Sequence, residues 1–166
     1  MDYRKEILDL LIPYFEKNDR YYLLICDCGF ASIDALKERF PNRVINLGIQ
    51  EQNIVSVAQG MAMEGLKPII YSIMNFLVMR SFEQVRNGIL QGLDVKYITT
   101  GANNYFDFLG KSHTCGEDDI KLMEIAGVEV YNPYEWDEIR ERWGVVHFPS
   151  YVKSWLEDKK SSYIRV

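Results

Sequence analysis

The stretch "RVINLGIQEQNIVSVAQGMAMEGLKPIIYS" spans residues 43–72, and its reading decides the fold. "RVINL" (43–47) reads as a strand closed by Gly48. A helix rich in small residues runs from about residue 51 to 64, and Gly65 ends it. "KPIIYS" (67–72) reads as the next strand. Strand, helix and strand at this spacing form a βαβ unit, which joins parallel neighbours. The same stretch sets an acid, Glu51, between two glutamines just ahead of residues suited to burial. Taken alone, a first-turn glutamate complements the positive end of a helix dipole.

The alternation continues in both directions. Ile7, Leu8, Leu11 and Phe15 recur at helical spacing, predicting a helix over 3–18. "YYLLI" (21–25) predicts a buried strand. A helix follows over 32–40, with Ser32 as its N-cap and Pro41 just past its end. Beyond residue 72 come a long helix (74–92), a strand (95–100), and a loop rich in Gly, Asn and aromatics (101–116). A helix (117–126) then opens with three acids, and a strand (128–132) follows. One or two helices are expected over 134–158, with "SSYIRV" as a last strand. The expected fold is α/β: three layers, a mostly parallel sheet of about six strands with helices on both faces, in one domain over 1–166. Ligands of such sheets sit beyond the carboxyl ends of the strands. Glu51 follows one such end and the 101–116 loop another.

Composition narrows the function classes. The 166 residues are 48% hydrophobic and 13% aromatic, with net charge -5. No basic stripe pairs with an aromatic platform, which argues against nucleic acid. No apolar run has the length of a membrane helix. The N-terminal "MDYRKEILDLLIPYF" mixes charges with apolar residues, unlike a signal peptide. Cys26, Cys28 and Cys115 have no disulfide-framework spacing, so a cytoplasmic location is expected. Cys26-x-Cys28 reads as a strand end with small residues; as half a metal site it lacks a second ligand pair.

In order, "FPNRV", "GIQEQN", "AQGMA", "GLKP", "NF", "RSFEQVR" and "GKSHTCGEDDIKLMEIAGVEVYNPYEWDEI" cover nearly the whole chain. The ordered set resembles the pyrimidine-binding domain of transketolase-like thiamine-diphosphate enzymes. The resemblance implies that Glu51 hydrogen-bonds the pyrimidine ring nitrogen of the cofactor. That bond promotes the tautomer which takes the proton from the thiazolium carbon. Burial disfavours a carboxylate, so a partly buried carboxyl can hold a proton and donate it. Phe76 falls where the family places an aromatic against the pyrimidine face; its alternative is ordinary helix core. Ile73 stands where a second aromatic is common, and Met79 supplies a third wall, so the expected pocket is apolar but less aromatic than usual. Asp27, in "ICDCG", aligns with a family aspartate near the cofactor.

His113 matches a family histidine that reaches the substrate or its developing oxyanion. Two positions depart from the pattern. Leu109 stands where an aspartate commonly reads a sugar hydroxyl, and Thr100 where a phosphate-binding histidine is frequent. Both departures argue against the usual sugar-phosphate substrates. Arg80 and Arg86 read as structural ion-pair residues. The family's G-D-G signature for diphosphate and magnesium does not occur in these 166 residues. The resemblance therefore implies half of an active site. A separate diphosphate-binding subunit would hold the thiamine diphosphate through Mg2+, in a hetero-oligomer with two of each chain, and this chain would form a homodimer in isolation. The expected reaction is ketol transfer on a small sugar. The alternatives are 2-oxo-acid decarboxylation with carboligation, or a non-catalytic regulatory domain.

Overall fold

A computed structural model gives the protein's structure, described for residues 3–137, 142–145 and 147–166. In chain order the elements are α1 (Tyr3–Lys17), β1 (Tyr21–Ile25), α2 (Asp34–Arg39), β2 (Val44–Asn46), α3 (Glu51–Met63), β3 (Lys67–Ile73) and α4 (Met74–Leu90). Then come β4 (Lys96–Thr100), α5 (Asp118–Ala126), β5 (Glu129–Tyr131), β6 (Tyr134–Asp137), β7 (Arg142–Val145), α6 (Phe148–Glu157) and β8 (Ser162–Arg165). Six strands make one sheet in the order β2-β1-β3-β4-β8-β5, and every pairing in it is parallel.

Side chains alternate between the two faces of a strand, and that alternation builds two cores. Leu23, Ile25, Ile69, Tyr71, Ile98 and Ile164 face α1, α2 and α6. Leu24, Cys26, Ile70, Tyr97 and Tyr163 face α3, α4 and α5. Each fully buried Leu or Ile contributes roughly 1.5–3 kcal/mol, so helices are needed on both faces. The three layers and six strands agree with the expectation from sequence.

Two local expectations are corrected. Residues 134–137 and 142–145 are not helical: β6 and β7 pair antiparallel as a separate two-stranded ribbon, with Trp136 opposite Trp143, and the rest of the helix expected before residue 147 lies outside the described residues. Among the described residues, α6 is the one helix of those expected in 134–158. Nor does Ser32 cap α2, which starts at Asp34 with Ile33 at the N-cap position and no side-chain cap. The physical reason lies in residues 29–32. Gly29 and Ala31 have positive φ values of 82° and 66°, and the amides of Ser32 and Ile33 both donate to the Gly29 carbonyl. That turn cannot be helical, so the helix begins after it. A Cβ on Gly29 would also come within 2.7 Å of the Tyr71 ring.

Candidate active site

After β1 the chain passes to β2 at the sheet edge, then returns to β3 on the other side of β1. A reversal of this kind opens a crevice at the carboxyl ends of the strands. The predicted site residues gather there.

Glu51 is the first residue of α3. The loop before it is fixed by Asn46, whose Oδ1 accepts from the amides of Asp27 (3.1 Å) and Gly48 (2.9 Å). Asn46 Nδ2 donates to Asp27 Oδ1 at 3.0 Å, tying the ends of β1 and β2 together. Asp27 holds a left-handed conformation, φ 48°, which Asp tolerates better than most residues. Glu51 is only 5% exposed. A buried carboxylate needs a partner, and Arg80 supplies it, donating from Nη1 to Oε1 at 2.9 Å.

Arg80 sits on the first segment of α4, which is kinked at Ser81 (φ -118°, ψ 17°). The Ser81 hydroxyl donates back to the Leu77 carbonyl, a bond that bends helices. Phe76 and Arg80 lie one turn apart on that segment, so they share a helical face. The Arg80 guanidinium carbon lies 4.3 Å from the Phe76 ring centroid. The other neighbour of Phe76 is His113: the ring centroids are 4.8 Å apart, edge to face. Glu51, Arg80, Phe76 and His113 thus form one continuous chain of contacts. Arg80 does form an ion pair, as expected, but with the central acid of the site. Arg86 is exposed and makes no ion pair among the described residues.

The loop after β4 carries His113 through single 3₁₀ turns at Ala102–Asn104, Asp107–Leu109 and Lys111–His113. Two side chains pin it. Asn75, buried at the start of α4, donates from Nδ2 to the Ser112 carbonyl. Arg165 donates from Nη2 to the Gly116 carbonyl at 2.8 Å. Arg165 (2% exposed) also approaches the Asp119 carboxylate (0% exposed) at 3.3 Å, a charge contact whose angle misses a hydrogen bond. Asp119 further accepts from the Tyr163 hydroxyl and, at 3.6 Å, from the Cys115 thiol. Burial first, then Asp119, pushes the Cys115 thiol up to about 12 and the Tyr163 hydroxyl well above its usual range. Burial likewise raises Cys28 to about 12 and Cys26 above its usual value, so these thiols are poor nucleophiles.

Ile73 and Asp27 are brought together at a cavity of about 300 Å³, lined also by Arg4, Tyr71, Thr100 and Phe106. An adjoining cavity of about 370 Å³ shares Arg4 and Thr100 and adds Tyr3, Tyr105 and Tyr134. The Thr100 hydroxyl is buried with no hydrogen-bond partner among the described residues. Met79 is half exposed on the first segment of α4, and Leu109 half exposed on the loop. Glu51 and Arg80 border a separate open groove with Gln50, Gln52 and Asn53. The structure therefore places Glu51, Phe76 and His113 together and sets Ile73 and Asp27 beside a neighbouring cavity. Sequence reasoning missed Asn75, Asp119, Arg165 and the contacts of Arg80. Only Arg80 carried a signal, its four-residue spacing from Phe76. Among the described residues no group of three or more His, Cys, Asp or Glu is arranged to hold a metal ion, and no helix is long and apolar enough to cross a membrane.

The site has a definite chemical preference. A buried carboxylate and an aromatic face meet one planar, N–H-bearing group, the Arg80 guanidinium. A flat heterocycle with hydrogen-bonding edges, such as an aminopyrimidine, fits the same pair of contacts.

Comparison with known proteins points the same way. Residues 2–146 match the family described as transketolase, pyrimidine binding domain. The chain is 31% identical, over 139 residues, to the 6-deoxy-6-sulfo-D-fructose transketolase subunit SqwH of Clostridium sp. (strain MSTE9), covering 82% of this chain and 43% of that one. It is 34% identical over 108 residues to 1-deoxy-D-xylulose-5-phosphate synthase of Pseudomonas paraeruginosa (strain DSM 24068 / PA7), covering 64% of this chain and 17% of the other. Among solved structures, one titled "Split gene transketolase, inactive beta4 tetramer" superposes with a TM-score of 0.77 at 28% identity, covering 98% of this chain and 49% of that one. The chain thus spans less than half the length of these relatives.

Proposed function

This chain belongs to the transketolase pyrimidine-binding domain family, and from that premise we propose that it is the pyrimidine-binding half of a thiamine-diphosphate enzyme that makes or breaks carbon–carbon bonds next to a carbonyl. The observation that carries the reading is Glu51, a buried carboxylate at the first turn of α3, joined through Arg80 to the face of Phe76. When bound, thiamine diphosphate supplies an acidic carbon whose deprotonated form adds to carbonyl groups. Glu51 shares a proton with the pyrimidine ring nitrogen. Phe76 packs on the ring. His113, held against Phe76 and pinned at Ser112 and Gly116, faces the substrate and stabilises charge that develops on its oxygen. Ketol transfer on a small sugar is the reaction in keeping with the relative named as a 6-deoxy-6-sulfo-D-fructose transketolase subunit. The two cavities that share Arg4 and Thr100 leave room for that substrate beside the site.

The diphosphate and Mg2+ are held by a second, separately encoded chain in a hetero-oligomer. Relatives named as a transketolase subunit and a split-gene transketolase support this arrangement. Titration calorimetry with thiamine diphosphate and Mg2+ tests it. The chain alone binds poorly, because the diphosphate carries much of the charge available for binding. Mixed with a chain from the same genome bearing the G-D-G signature, it binds tightly and only with Mg2+. Tight binding by this chain alone overturns the division of labour.

A further inference from the structure

We propose that Arg80 occupies the place of the cofactor's pyrimidine ring in the unliganded chain and must swing away before the cofactor binds. The inference rests on the cofactor reading above. Two contacts define it, and Arg80 makes both: Nη1 to Glu51 Oε1 at 2.9 Å, and the guanidinium carbon over the Phe76 ring, 4.3 Å from its centroid.

The physical basis is the shape of guanidinium. It is flat, delocalised and edged with N–H donors; it pairs with carboxylates and stacks on aromatic faces. An aminopyrimidine shares that flatness and that donor-bearing edge. Lysine, a compact point charge, does not. Arg80 is also able to move. Its side chain is 49% exposed, whereas Glu51 is 5% exposed, so the acid stays and the base leaves. The kink at Ser81 directly follows Arg80, placing the residue at a break in the helix.

The arrangement does two things. It gives the Glu51 carboxylate a partner while the site is open, so an uncompensated buried charge never arises. It also makes the cofactor compete with an internal group, which lowers affinity in the open state.

The test compares wild type, Arg80→Met and Arg80→Lys, each assembled with the diphosphate-binding chain, by calorimetric titration with thiamine diphosphate and Mg2+. Arg80→Met keeps the apolar stem and removes the competitor. Its affinity rises roughly threefold to thirtyfold over wild type, the combined worth of a half-exposed ion pair and a cation–π contact. Arg80→Lys retains the charge, loses the plane and falls between. The gap narrows as salt is raised, because the ion pair is screened. A readout independent of the cofactor is the melting temperature of the chain alone, which drops in Arg80→Met as Glu51 loses its partner. Equal affinity in wild type and Arg80→Met overturns the proposal. Weaker binding by Arg80→Met also overturns it and makes Arg80 a cofactor-holding residue. If neither assembly binds the cofactor, the proposed function itself fails, and this inference with it.

Discussion

Arg165→Met is the sharpest test of how the His113 loop is held. Asp119 and Arg165 are 0% and 2% exposed and 3.3 Å apart. The substitution leaves the Asp119 carboxylate with the Tyr163 hydroxyl and the Cys115 thiol as its donors, and it frees the Gly116 carbonyl. Removing one partner of a buried pair costs about 3–5 kcal/mol. A 166-residue chain unfolds with an entropy near 0.35 kcal/mol/K, taking about 2.1 cal/mol/K per residue. The melting temperature therefore falls by about 9–14 °C. Replacing both charges, Asp119→Leu with Arg165→Met, leaves no stranded ion, and Tyr163 still has Thr99 at 2.6 Å. The double variant should recover about half of the loss or more. Urea denaturation of the four proteins closes the cycle. A loss below about 1 kcal/mol for Arg165→Met, or losses that add in the double variant, would refute the claim that this pair is a coupled buried unit.

His113→Ala, in the assembled enzyme, should lower substrate turnover about a hundredfold while leaving thiazolium proton exchange near its original rate; a matching fall in exchange would place His113 in cofactor activation instead. Stability should decline with alkaline pH. Cys28, Cys115 and Tyr131 are each raised to about 12 in the fold, and the unfolded chain releases those protons from about pH 9 upward. Their contribution is intact below that value and lost as pH climbs toward 12. Cys26 and Tyr163, also raised, act in the same sense, whereas Lys96, lowered chiefly by burial, works in the opposite direction and is outnumbered. A urea midpoint that stays constant from about pH 8 to pH 11 would contradict this.

Much of the fold was legible because strand alternation and helical spacing are written locally. "YYLLI" and "KPIIYS" are short apolar runs, and "ILDLLIPYF" has a single apolar stripe. The placement of Glu51 was equally legible, since Gly48 ends the preceding strand segment and a helix follows. Residues 134–145 misled because "YEWDEIRERW" is rich in helix formers, whereas the pairing of β6 with β7 depends on tertiary context. The burial of Asp119 was invisible for a similar reason. A third acid at a helix start reads as a dipole partner until β8, inserted between β4 and β5, brings Arg165 and Tyr163 to it. Ser32 has cap chemistry, but the turn set by Gly29 takes precedence.

The central claim is that Glu51 is the acid–base group of a cofactor site rather than a helix-dipole residue. The most direct measurement is exchange of the thiazolium proton with deuterated water, followed by NMR in the assembled enzyme, for wild type and Glu51→Gln. Glutamine keeps the size of the side chain and can still accept from Arg80, so fold and assembly should survive. It cannot share a proton with the ring nitrogen. Exchange should slow roughly a hundredfold to ten-thousandfold, equivalent to about 3–5 kcal/mol on the barrier. Exchange in Glu51→Gln as fast as in wild type would contradict the account.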